Sequence, residues 1–436
     1  MHVDRLSLLM MGLVSFVVLC VALFSSRYLK GDRKQRAFYG SLIALVLSVF
    51  VLVSADHLLL MLSSWLASST FLALLMLHKK EWNAAKQSSL LAFKNFGLGL
   101  VFLSSAFLIL FSVTNEASIQ AIVKTEIEAT WLTVSSLLIL LTAMTQSSIW
   151  PFHRWLTSSL NSPTPVSSIM HAGLVNGGGF LLARFAPMIA SQPAILNLIF
   201  IVGIVTAFIG TLWKLMQSDI KRMLACSTMG QMGFMIAQCG LGLFPAAVAH
   251  LCWHGLFKAY LFLASGSAVQ EKRYNQDYPP SLKAFLLAIV CGLIGGYMFC
   301  ITSSKNIFAY DTTLLLVVLA TVAGTQFALT IIRGTPAVRF PLALMATALI
   351  GAVYGLSVNS VQWALAPLNM WHPQPLNHWH MIGLTALVAG WLGILFASNY
   401  EKKRLPDWML AAYVFILNAS QPHPKTVTAY RNHYQF

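Results

Sequence analysis

Three basic side chains recur at a spacing of four in AHLCWHGLFKAYLFLASG: His250, His254 and Lys258. On an α-helix that spacing puts all three along one stripe, drifting by about 40° per step. Imidazole titrates near neutral pH and an ammonium group offers three donors, so such a stripe can relay protons. The same residues would also serve as structural polar groups bonded to neighbouring helices. A metal centre is the weaker reading, because a His pair needs a third ligand and Cys252 lies off this face. His171 is a second candidate, in NSPTPVSSIMHAGLVNGGGFLLARF, after Pro163 and Pro165 and before Gly173, Gly177, Gly178 and Gly179. The prolines predict a helix break, of the kind that lines ion pathways. The alternative is a proline kink with a tightly packed glycine face. Lys94, in LLAFKNFGLG, either joins that chemistry or snorkels its ammonium to the nearer membrane face.

These residues sit in a chain of 436 with 57% hydrophobic and 9% charged residues and a mean hydropathy of +0.72. A soluble surface needs far more charge, so the chain reads as an all-α, polytopic membrane protein. A bilayer core needs about 20 apolar residues of helix. Thirteen such windows run at 6–25, 39–54, 57–77, 88–113, 130–150, 164–188, 192–214, 221–241, 245–267, 284–302, 312–332, 340–357 and 380–398. The first is expected to be a retained span and not a cleaved signal. The six cysteines sit mostly in apolar runs without CxxC spacing, which argues against a disulfide framework or an iron–sulfur site.

The 28 Lys+Arg against 13 Asp+Glu give a net charge of +15. With the N-terminus outside and the C-terminus cytoplasmic, twenty-two of those cations fall in inward loops and four, Arg5, Lys124, Arg184 and Lys305, in outward ones. Lys94 and Lys258 fall within spans. The split supports that orientation in a bacterial inner membrane and makes nucleic acid an unnecessary partner. No carboxylate is placed at mid-membrane; Asp56, beside His57 at an outer edge, comes nearest. No Walker loop, GxSxG elbow or HExxH motif is present, so the sequence gives no catalytic chemistry to this chain.

Four blocks in series, SADHLLLMLSSW, HRWLTSSLNSPTPVSSIMHAGLVNGGGFLL, QSDIKRMLACSTMGQMGF and AHLCWHGLFKAYLFLASGS, resemble the antiporter-like subunits of respiratory complex I, the subunit 5 (L) type, and related cation antiporters. The resemblance runs from Asp4 to about Gly266. It implies two inverted five-helix repeats with discontinuous helices, broken near Pro163–Pro165 and within the His250–Lys258 span. It also implies that His171, His250, His254 and Lys258 lie on a central hydrated proton path. Gln146, Asp56, Asp219, Lys221 and Lys94 are accessory candidates. Residues 1–270 would form the antiporter-like core, 271–398 additional spans and 399–436 a basic cytoplasmic tail, without the long lateral helix of the complex I subunit.

The chain departs from pumping members where their acids and lysine stand: Leu66 follows Trp65 in place of a glutamate, Leu100 and Ser158 replace acids, and Gln146 replaces a lysine. A Glu–Lys switch, in which one charge tunes its partner, therefore cannot operate there. That pattern is most similar to DabB-type membrane subunits of two-component inorganic-carbon transporters. The resemblance implies a large cytoplasmic partner similar to a zinc β-carbonic anhydrase (DabA type), with zinc in the partner and no cofactor in this chain. A respiratory or multisubunit antiporter complex, with H+ or Na+ as the ion, is the alternative.

Overall fold

The computed structural model describes residues 1–269, 279–306, 308–332, 336–397 and 406–427. Among them the chain is helical, with isolated bridges and no strand. Helices α1 (Arg5–Tyr28), α2 (Gln35–Val53), α3 (Leu58–Met76) and α4 (Asn83–Thr114) lead to the short α5 (Ile119–Lys124) and to α6 (Ala129–Gln146). An interrupted stretch follows: α7 (Arg154–Thr157), α8 (Thr164–Ala172), a 3-10 turn at Leu174–Asn176, α9 (Gly177–Arg184) and α10 (Ala186–Ala190). Then come α11 (Pro193–Met216), α12 (Ile220–Gly240), α13 (Phe244–Leu263), α14 (Leu282–Thr302), α15 (Thr313–Ile332), α16 (Pro336–Leu365), α17 (His378–Ala397) and α18 (Asp407–Ala419).

Twelve helices among the described residues are long and apolar enough to cross a bilayer, and the chain is a multi-pass membrane protein. Twelve of the thirteen expected spans correspond to these. The remaining one, 221–241, is a helix of spanning length (α12) that falls short in hydropathy. Its side chains need not suit lipid, because most residues from Leu224 to Gly240 are buried in protein. α12 lies backbone to backbone on α11: a Cβ added at Gly233 would stand 2.8 Å from the Gly203 carbonyl oxygen, and one at Gly240 2.8 Å from that of Leu196. Small residues that let backbones approach are how helices associate without a hydrophobic driving force between them.

Two of the expected helix breaks lie elsewhere. Pro163 and Pro165 do not interrupt a helix; they cap and begin α8, where proline's fixed φ fits the first turn and its missing N–H would have no partner anyway. The interruption comes at Gly173, where a Cβ would stand 2.7 Å from the Ile169 carbonyl oxygen. The span carrying His250, His254 and Lys258 is continuous: α13 runs unbroken from Phe244 to Leu263, and only then tightens into a 3-10 stretch at Ala264–Val269.

Hydrogen bonds between connecting segments sort them into two faces. On one face Asp32 meets His78 at 3.0 Å, Lys34 pairs with Glu81, Ser88 Oγ donates to the Ser158 carbonyl at 2.8 Å, and Lys221 Nζ donates to that of Ser162 at 3.2 Å. The His78 ring holds the Asp32 carboxyl below its ordinary range. On the other face the His2 N–H donates to the Ser54 carbonyl, Ser118 Oγ to Asp56, and Thr133 Oγ1 to Gln192. Alternate loops thus share a face, as the charge sorting requires. Lys272, Arg273, Arg333, Lys402, Lys403, Arg404 and Arg431, which contribute to the inward count, lie outside the described residues.

The helices group into two compact units. Among the described residues the first holds 1–240, 250–269 and 415–427; the second holds 241–249 and those from 279 to 414. In the second, α14 packs on α15 and α16 around Ala288, Cys291, Ala328 and Ala343. Within the expected basic tail, the described residues 406–427 open with α18, whose sequence DWMLAAYVFILNA is apolar.

Candidate functional site

The discontinuity after α8 leaves carbonyls without helical partners, and side chains at the end of α6 take them up. Gln146 Nε2 donates to the Leu174 carbonyl at 3.2 Å, Ser147 Oγ to that of Val175 at 2.6 Å, and the Gly178 N–H donates back to Ser147 Oγ at 3.1 Å. Asn176 Nδ2 caps the Ala172 carbonyl at 2.7 Å. Broken backbone is tolerated at membrane depth only when satisfied in this way. Gln146 therefore braces the break, and its Oε1 is buried without a hydrogen-bond partner.

The break aims His171 inward, 1% exposed, toward α12. Its Nδ1 stands 3.0 Å from Thr228 Oγ1, and its ring stacks on Phe262 with centroids 4.2 Å apart. Thr228 Oγ1 donates to the Leu224 carbonyl at 3.0 Å, and Lys258 Nζ donates to that same carbonyl at 3.2 Å. A hydroxyl has a single proton. That proton is shared between the Leu224 carbonyl and His171 Nδ1, so the ring's tautomer and the Thr228 hydroxyl are set together. Thr228, which the sequence reading did not single out, thus touches His171 and shares the Leu224 carbonyl with Lys258.

α13 supplies the remainder of the site. Lys258, at 1% exposed, is among the largest fully buried side chains, and His250 and His254 are buried with it. Gly255 lets α13 approach the end of α8: a Cβ there would stand 2.9 Å from the Ala172 carbonyl oxygen. The His250 and His254 rings lie nearly parallel at 6.2 Å between centroids, beside each other and not bonded. His254 Nε2 is buried with no hydrogen-bond partner. A proton passing between the two rings therefore needs a mobile carrier. Four residues named from sequence, His171, His250, His254 and Lys258, thus meet in one buried region of the first unit.

The accessory candidates are dispersed. Lys94 is exposed on the side of α4. Asp56 takes Ser118 Oγ at 2.8 Å and the Gln120 N–H at 3.0 Å, bracing a loop. Asp219 accepts the Arg222 N–H at 2.9 Å at the start of α12, and Lys221 reaches Ser162. Leu66, where the family resemblance implies a glutamate, is 44% exposed, while Trp65, Ser68 and Gln146 line a small, partly open pocket with Val14, Gly173 and Phe180. His153, in the HRWL block, was also passed over. Its ring lies tilted against Trp213 with centroids 4.8 Å apart, and burial followed by the charge of Arg154 pushes its pKa down to about 4. At neutral pH it is uncharged. Asp4 is the one buried carboxylate among the described residues, and it is paired with Arg184.

Thr228→Val removes the hydroxyl while keeping the shape. Proton flux through the chain is expected to fall by roughly tenfold, the equivalent of one buried hydrogen bond. Thr228→Ser should retain flux. Equal flux in the Val and wild-type proteins, measured with a pH dye in proteoliposomes, would remove Thr228 from the path.

Comparison with known proteins bears on the family and the fold. A family profile described as "NADH:quinone oxidoreductase/Mrp antiporter, TM" matches residues 55–284, and one described as "NADH-Ubiquinone oxidoreductase (complex I), chain 5 N-terminus" matches residues 1–39. A Bacillus anthracis protein named "Probable inorganic carbon transporter subunit DabB" is 40% identical over 275 residues, covering 62% of this chain and 54% of that protein. A Halothiobacillus neapolitanus "Probable inorganic carbon transporter subunit DabB1" is 35% identical over 296 residues, covering 66% and 53%. NADH-quinone oxidoreductase subunit L of Escherichia coli is 33% identical over 304 residues, covering 67% and 49%. The chain thus spans about half the length of the curated relatives it matches. A solved Mrp complex from Dietzia sp. superposes with a TM-score of 0.58 at 22% identity, over 96% of this chain and 45% of that one, which supports the fold. With the first profile matched over more than half of its length, the chain belongs to the NADH:quinone oxidoreductase/Mrp antiporter transmembrane family.

Proposed function

We propose that this chain is the energy-coupling membrane subunit of an inorganic-carbon transporter. It conducts H+, or Na+ in its place, inward across the bacterial inner membrane, with its N-terminus outside and its C-terminus in the cytoplasm. That flux drives accumulation of CO2 or bicarbonate by a large cytoplasmic partner resembling a zinc β-carbonic anhydrase, which holds the zinc. The observation that carries the reading is the buried group of His171, Thr228, His254 and Lys258, assembled with no carboxylate beside it among the described residues. The names of its relatives supply the substrate.

The relay needs a different switch from a Glu–Lys pair. His254 and Lys258 are one helical turn apart in a region of low dielectric, where two positive charges repel strongly. A proton arriving at His254 therefore favours release of one from Lys258; the Leu224 carbonyl that Lys258 and Thr228 share only accepts, so the displaced proton reaches Thr228 and His171 through a mobile carrier. One charge crossing 100 mV is worth about 2.3 kcal/mol, enough to bias a hydration equilibrium more than tenfold.

Translocation in a complex I-like or Mrp-like assembly is the second reading, favoured by the similarity to subunit L. Purification of the native complex separates the two. A co-purifying zinc protein, together with pH-dye flux in proteoliposomes that requires His254, would support the first reading. Flavin or iron–sulfur partners would overturn it.

A further inference from the structure

The segment after α18 folds back on the first unit, at the face that carries the α7–α8 loop. The His423 N–H donates to Ser158 Oγ at 2.9 Å, Asn161 Nδ2 to the Thr426 carbonyl at 2.8 Å, and Gln217 Nε2 to Ser420 Oγ at 2.8 Å. Arg222 Nη1 reaches Gln421 Oε1 at 3.3 Å. Ile416 packs on the cluster of Trp213, Cys226 and Met229. Ser420 and Thr426 are buried by these contacts, as are Ser158 and Ser162 beneath them.

What lies under this segment is one end of the relay. Lys221, Leu224 and Thr228 stand at i, i+3 and i+7 on α12, along one stripe. Thr228 and Leu224 hold His171 and Lys258, and one turn further along Lys221 Nζ holds the Ser162 carbonyl. The polar line therefore runs from the buried bases to the 158–162 loop. The returning segment binds that loop from the other side.

We propose that residues 416–427 are a latch over the inward end of the relay, so that the chain conducts slowly while the latch is seated and faster once it is drawn off. The proposal rests on the reading of this chain as a proton conductor. A few hydrogen bonds, the Ile416 contact and the packing of the Pro424–Thr426 turn on α4 hold the segment, each of them weak enough for a docking partner to replace. Seated, the latch lies over Ser158 and Ser162, both buried, with Asn161 and Lys221 half-buried at its edge. Released, it exposes Ser158, Asn161 and Ser162.

The test uses the full chain in proteoliposomes beside a Gln217→Ala/Gln421→Ala variant and a chain truncated after Ala419, each with a His254→Ala control. Proton flux and amide hydrogen exchange of residues 158–163 are read together. Roughly tenfold faster, His254-dependent flux in the latch variants, with faster exchange in the loop, supports the latch; tenfold corresponds to about 1.4 kcal/mol of lost contact. If the truncated chain does not fold, the point variants carry the result alone. His254-dependent flux that is the same with and without the latch, or exchange that does not change, overturns the latch and leaves the conduction reading standing. Flux at the level of empty liposomes in every form overturns the conduction reading and the latch with it.

Discussion

Lys258→Met is expected to lower proton flux to the level of empty liposomes and to abolish inorganic-carbon-dependent growth in a strain that relies on this chain, without unfolding the protein. Lys258 is 1% exposed and donates one hydrogen bond to the Leu224 carbonyl, which Thr228 also satisfies. Removing the ammonium therefore leaves no buried acceptor without a donor. A buried cation without a carboxylate beside it is costly, by a few kcal/mol or more in a membrane. Methionine matches the length of the side chain and carries no charge, so the variant should unfold at the same temperature as wild type or higher. Gain of stability with loss of activity is the signature of a residue kept for function. If flux persists in Lys258→Met, the switch between His254 and Lys258 is not the coupling step. If the protein aggregates, the lysine is structural.

The second large effect is on the fold. Arg184 donates to the Asp4 carboxylate, to Ser7 Oγ at 3.0 Å and to the Val53 carbonyl at 2.8 Å, and its guanidinium lies 5.3 Å from the centre of the Phe180 ring. One side chain thus ties the start of α1 and the end of α2 to α9. Arg184→Ala leaves Asp4 charged and buried, and should cost about 3–5 kcal/mol. Burial by itself would raise the Asp4 carboxyl, but the hydrogen bond and charge of Arg184 outweigh it and hold the group below its ordinary value. A carboxylate with a depressed folded pKa stabilises the protein above its unfolded value of about 3.9, and that contribution is lost as pH falls through the folded value. The penalty of Arg184→Ala should therefore be full at neutral pH and shrink below about pH 4. Asp4→Asn in the same chain should recover much of it. Thermal unfolding in detergent at several pH values checks both. A penalty independent of pH would assign the loss to the Val53 and Ser7 contacts and not to the charge.

Much of this architecture was legible because the bilayer imposes one rule per span. Apolar windows located twelve helices, and the side preference of lysine and arginine anticipated which loops share a face. His171, His250, His254 and Lys258 stood out because a basic side chain is rare in such windows. The hidden parts have specific causes. Thr228 is a hydroxyl in a helix that holds several polar residues, and only the aim of His171 gives it a role. The break at Gly173 was masked by Pro163 and Pro165, which are the more familiar interrupters but here begin α8. The expected break within α13 followed from the family resemblance; locally, LCWHGLFKAYLFL has nothing that stops a helix except Gly255, whose missing side chain serves close packing. The fold-back of 416–427 rests on hydrogen bonds to residues far away in sequence, which no local pattern reveals.

The polar character of α12 has a consequence for how the protein is made. A segment carrying Lys221, Arg222, Ser227, Gln231 and Gln238 partitions poorly from an insertion machinery that tests hydrophobicity one segment at a time. The preceding helix, α11, is among the most apolar in the chain, and the turn joining the two is only a few residues long. α12 must therefore enter the bilayer as the second arm of a hairpin, already seated along the glycines of α11. Membrane insertion of α12 thus depends on the helix synthesised just before it, and a defect in that pairing would strand α12 outside the membrane.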